Sequence, residues 1–88
     1  MDWQDDFSSL ITFSTFILSL NTAALVHLGE LPDPLTKEKK VDLVLAKQVI
    51  DTLEMLREKT EGNLTPEEEE LFKSILFDLK LRFVKLCP

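Results

Sequence analysis

The 88-residue chain is poor in the residues that carry most protein chemistry: one cysteine, one histidine, two glycines and no tyrosine. A single cysteine, Cys87, excludes an internal disulfide and fits a reducing cytoplasm. One histidine and one cysteine fall short of the several ligands that zinc takes at fixed spacing. His27 with Glu30 is the nearest thing to a pair, and a helix-terminal role for His27 is the simpler reading. No metal and no cofactor is expected. Two glycines leave no Gly-rich phosphate loop. No G-x-S-x-G elbow is present, and only His27 could serve a nucleophile as base. The chain also lacks excess positive charge. Ten basic residues face sixteen acidic ones, for a net charge of -6. A nucleic-acid binder shows a basic face, so none is expected here, and the acidic balance disfavours anionic membrane surfaces. The first residues, Met-Asp-Trp-Gln-Asp-Asp, lack the positive charge of a secretory signal.

The carboxylates that are present do not look catalytic. Glu67–Glu70 lies at a helix start, where negative charge complements the dipole and stays solvated. Asp51, Glu54 and Glu58 read as solvated in the same way. Asp78 interrupts an apolar helix as a boundary residue, with Lys80 or Arg82 of a neighbouring chain as conceivable partners. Cys87 beside Lys85 reads as a frayed terminal thiol. The expectation is a protein that is not an enzyme.

What is there is helix. At 44% hydrophobic residues the chain is no candidate for disorder, and its length allows one domain, residues 1–88. Three helices are expected, over about 6–28, 42–61 and 66–86. Asp5 or Asp6 would cap the first, Gly29 would supply its left-handed end, and Pro32 follows where it cannot continue. In the second, Leu45, Ala46, Val49, Leu53 and Leu56 form one apolar face. Lys47 and Asp51 make an i,i+4 pair, and Gly62 stops the helix. The third opens with Thr65 as N-cap, Pro66 at the first position and Glu68 completing a capping box. Its main stripe is Phe72, Ile75, Leu76, Leu79, Phe83 and Leu86. The short link between the second and third helices favours an antiparallel hairpin. The linker over 30–41 would reach about 40 Å extended. It could run the length of the first helix or carry the hairpin onto another subunit.

The first helix is the unusual element. From Phe7 to Gly29 there is no Asp, Glu, Lys or Arg. Leu10, Phe13, Ile17, Leu20, Ala24 and Leu28 fall on one side, Ile11, Leu18 and Leu25 lie further round, and Ser8, Thr12, Thr15, Ser19, Thr22 and Ala23 form a strip of small residues. A helix apolar nearly all round is buried. Phe77, Leu81 and Val84 give the third helix a second apolar face. Burying about four extra large side chains per subunit would contribute roughly 6–12 kcal/mol, comparable to the stability of a whole domain. The expectation is therefore an all-α chain that assembles into a helical-bundle homo-oligomer, a twofold dimer first. The expected interface is Thr12, Thr15, Ser19, Thr22, Phe77, Leu81 and Val84. Asn21, inside the uncharged helix, either fixes register in that assembly or bonds the linker backbone.

Three alternatives stand beside this one. A hetero-protein partner could cover the same faces. The first helix could insert in a membrane, although nine of its 23 uncharged positions are Ser, Thr, Asn or His, which is polar for a span. A small apolar ligand could sit between helices, against Phe13, Phe16 and Phe72.

The stretch Phe13–Glu30, the Pro-Asp-Pro after it, Leu45–Glu69 and Leu76–Phe83 resemble a family of small bacterial domains of unknown function, over nearly the whole chain. The resemblance implies a bacterial, cytoplasmic, helical protein and no particular reaction, and it brings no functional residues. Members often have a longer low-complexity N-terminal tail and a tyrosine in place of Phe83. The first difference implies that the tail is dispensable for the fold; the second argues against a general phenolic role there.

Overall fold

The computed structural model describes residues 12–88. Three helices follow one another, α1 (Phe13–His27), α2 (Leu43–Lys59) and α3 (Pro66–Leu86). The described residues contain no β-strand beyond one isolated antiparallel bridge, Leu28 to Val41.

α1 begins later than the sequence suggests. Thr12 is extended, its hydroxyl accepts from the Thr15 N–H, and the Thr15 hydroxyl accepts from the Thr12 N–H. That reciprocal pair satisfies two donors that a helix start otherwise leaves without partners, so α1 opens at Phe13 and not near Asp6. The proposed caps Asp5 and Asp6 lie outside the described residues, as do Ser8, Leu10 and Ile11. At the other end, Glu30 N–H donates to Leu25 C=O and Gly29 N–H to Val26 C=O, at 2.9 and 3.0 Å. This is a Schellman ending, with Gly29 at φ +77°. Glycine is required here twice over, because a Cβ at Gly29 would sit 2.8 Å from the Val41 side chain.

The linker does not reach along α1; it folds back on itself. The Asp42 N–H donates to His27 C=O at 2.7 Å, so the chain returns to the point it left. Asp33 organises the excursion. Its carboxylate accepts from the N–H groups of Leu35 and Thr36. Its backbone C=O accepts from Lys37, and its N–H donates to Glu38 C=O. Lys37 takes the left-handed conformation, φ 63°. An aspartate satisfying its own turn draws twelve residues into a closed loop, which periodicity does not reveal.

Asp42 then caps α2 through Leu45 N–H, and Thr65 with Glu68 caps α3 as a capping box. The core combines Ile17, Ala24 and Leu28 of α1 and its end, Ala46, Ile50 and Leu53 of α2, and Phe72, Ile75, Leu76 and Leu79 of α3. Phe13, Leu20, Val49, Leu56 and Phe83 pack against it half-buried. Two expected core positions face water instead: Leu45 and Leu86 are each 40% exposed. Ile50, absent from the expected α2 face, takes the inward position. It lies four residues after Ala46 and three before Leu53, the spacing of one helical side.

Side-chain pairs tie the helices together. Phe13 and Phe72 pack ring to ring at 5.8 Å. Arg57 meets Glu69 at 3.6 Å, Lys80 meets Glu54, and Arg82 meets Glu30 at 3.2 Å. The charged groups of these pairs are substantially exposed, so the ion pairs set register more than they stabilise.

Candidate interaction surfaces

The two surfaces that the sequence singles out are both on the outside of the molecule. On α3, Phe72 and Phe77 lie five residues apart and point to different worlds: Phe72 is fully buried and Phe77 is 72% exposed. At about 100° per residue the five steps leave the two side chains about 140° apart around the helix. Leu81 and Val84 share the outward direction, 46% and 66% exposed. With Glu70 and Ser74, both exposed, they recur at alternating four- and three-residue steps, the spacing of a helix–helix seam.

On α1, Thr12, Thr15, Ser19 and Thr22 are all exposed. Their hydroxyls turn back on the helix. Thr15 donates to Thr12 C=O, Ser19 to Phe16 C=O at 2.6 Å and Thr22 to Leu18 C=O. Back-bonding of this kind leaves the outer surface of the strip largely methyl and methylene. Phe16 and Leu18, both exposed, border it on either side. Asn21 is half-buried.

The charges on the two outer faces differ sharply. α1 has none. On α2 and α3 most charged groups pair within the chain. Lys47 holds Asp51 at 2.9 Å, and that hydrogen bond, with the carboxylate's charge, raises the ammonium above its ordinary range. Asp78, read from the sequence as a boundary residue, is half-buried and accepts from Arg82 one turn along α3 at 2.9 Å; it raises the guanidinium in the same way, with Glu30 adding to the effect. Glu67, Glu70, Lys73 and Lys85 are exposed and make no ion pair among the described residues.

The concavities are shallow. One of about 390 Å³ lies between the start of α2 and the end of α3, lined by Leu43, Val44, Lys47, Gln48, Asp51 and Phe83. Another lies between α2 and α3 among Glu54, Arg57, Glu58, Glu61, Glu69 and Lys80, where Arg57 pairs with Glu69 and Lys80 with Glu54. Phe13 and Phe72 fill the space between their helices with each other's rings, while Phe16 turns outward, so the three do not line one chamber. His27 is half-buried at the end of α1, and Cys87 is exposed. No group of three or more His, Cys, Asp or Glu among the described residues is placed to hold a metal ion. No described helix is long and apolar enough to cross a membrane.

Sequence reasoning located the outer stripe of α3 and the small strip of α1 but missed what flanks them. The unpaired charges at the two ends of the α3 seam become visible only once the in-chain ion pairs are known.

By its fold this is a small all-α domain, with three helices among the described residues. Residues 10–85 match the sequence model of the family described as Domain of unknown function (DUF1844). The chain belongs to that family. No curated protein and no solved structure matches it.

Proposed function

We propose that this domain is a non-catalytic protein–protein interaction module whose first partner is its own kind. The observation that carries the reading is the outer stripe of α3, with Phe77, Leu81 and Val84 exposed at helical spacing. Large side chains in a row are unusual on a monomer's surface and common at interfaces. The outer strip of α1 supports the same reading. Its hydroxyls are satisfied before any partner arrives, so burying them strands no donor. In this reading α2 and α3 form an antiparallel hairpin with α1 packed against it. The outer faces of α1 and α3, at Thr12, Thr15, Ser19, Thr22, Phe77, Leu81 and Val84, are where the hairpin and α1 meet other copies. The balance of acidic charge and the lone thiol fit work in the cytoplasm.

Sedimentation across the micromolar range tests the proposal. A concentration-dependent shift to dimer or a larger species is the expected result. A folded monomer at every concentration rejects it.

A further inference from the structure

The α3 seam is not symmetric along its length, and this limits how a second copy can use it. We infer that α3 pairs with α3 of a second copy in antiparallel orientation about a twofold axis, with Phe77 set against Leu81. The inference rests on the self-association proposed above and adds its register.

Two features of α3 carry it. The first is charge. Glu67 and Glu70 stand at the N-terminal end of the seam and Lys85 at the C-terminal end, all exposed and without an ion pair among the described residues. A parallel pairing in register would set Glu70 against Glu70 and Lys85 against Lys85, with the helix dipoles aligned. Antiparallel pairing brings Glu70 within about one turn of Lys85 of the second copy, at both ends of the contact, and opposes the dipoles. Lys73 stands on the other flank of the seam, beside Lys80, which Glu54 of α2 already holds.

The second feature is size. Along the seam the side chains run Ser74, Phe77, Leu81, Val84. A parallel pairing in register stacks Phe77 on Phe77 and leaves a gap between two copies of Ser74. The antiparallel register that sets Phe77 against Leu81 also sets Ser74 against Val84. Large then meets medium and small meets medium, which fills the layers evenly.

Cross-linking tests the register. In a Cys87→Ser background, chains carrying Ser74→Cys and chains carrying Val84→Cys are prepared separately, and their sedimentation is measured before oxidation. All four residues, Ser74, Val84, Cys87 and Lys85, are exposed, so the substitutions leave the core untouched. Upon mixing and oxidation, a disulfide-linked pair of the two variants is expected. Neither variant alone should link, because identical positions then lie about 15 Å apart along the seam. Linking of Ser74→Cys with itself, or of native chains through Cys87, means a parallel pair and overturns the register. A dimer in sedimentation that fails to link on mixing also overturns it, and leaves the broader proposal of self-association standing. A monomer throughout overturns both. Charge exchange supplies an independent measure. Glu70→Lys and Lys85→Glu should each weaken association roughly fivefold, and the double variant should recover it. Two single losses that add in the double variant contradict the antiparallel pairing.

Discussion

The outer face of α1 and the outer face of α3 are both exposed among the described residues, yet they are built from opposite materials. α1 shows small hydroxyl residues bonded to their own carbonyls and carries no charge. α3 shows Phe77, Leu81 and Val84 between an acidic and a basic end. The first surface is smooth and gives a partner little to grip, but it costs little to dehydrate. The second offers large apolar area and a direction. In the proposed self-association, affinity would therefore belong mainly to α3, where area is large, while α1 would contribute by permitting close approach. An apolar helix alone does not make an interface; side-chain size and flanking charge decide what that interface can recognise.

The largest effect separates α3's inner face from its outer one. Phe72→Ala should cost about 3–5 kcal/mol of folding stability, as the loss of a fully buried ring does. Phe77→Ala, on the same helix, should leave the unfolding of the dilute monomer within about 1 kcal/mol of the native protein. Chemical denaturation of both variants at low concentration checks the pair, and equal losses would mean that the two faces are not distinct. Association should respond in the opposite sense. Phe77→Asp is expected to weaken self-association at least about a hundredfold, since it removes apolar burial from both copies and desolvates a carboxylate. Native mass spectrometry or sedimentation reads that change, with helical content by circular dichroism unchanged.

Much of this was legible in the residues. The capping box at Thr65, Pro66 and Glu68, the glycine at the end of α1, and the division of α3 into two apolar sides follow from spacing and from side chains whose preferences act locally. The start of α1 did not, because the pair Thr12 and Thr15 makes a reciprocal cap from threonines that resemble their neighbours in an uncharged helix. The exchange of Leu45 for Ile50 has another cause. Both satisfy a helical spacing with the rest of the face, and only the packing of the other two helices against α2 decides between them. The loop over residues 30–41 was opaque for a third reason: its length permits a long reach, whereas one aspartate's local hydrogen bonds close it. The charges at the ends of the seam were visible as residues from the start. Which of them remain free depends on distant partners such as Glu30 for Arg82 and Glu54 for Lys80.

Smaller substitutions sharpen the contrast from the side of α1. Thr15→Lys with Ser19→Lys should weaken self-association about tenfold, less than Phe77→Asp, because a close helix–helix approach must then accommodate two ammonium groups. An unchanged association constant would remove the α1 strip from the interface and leave the α3 seam to act alone.

The smallest expected effect isolates what the α1 hydroxyls do. Thr12→Val keeps the shape of the side chain and removes the oxygen that accepts from Thr15 N–H. Loss of an N-cap of this kind costs about 1 kcal/mol, and Thr65→Val should cost a similar amount at the start of α3 through Glu68 N–H. Thr22→Val removes a hydroxyl that bonds only Leu18 C=O in its own helix, so it should change folding by less than about 0.5 kcal/mol. None of the three should shift the association constant more than about twofold, because a surface whose hydrogen bonds are already closed presents methyl groups to a partner whether or not the oxygen is there. A larger loss of association in Thr22→Val than in Thr12→Val would show that the hydroxyls reach across to a partner. The outer face of α1 would then be a polar recognition surface in its own right, and the division of labour between α1 and α3 would be reversed.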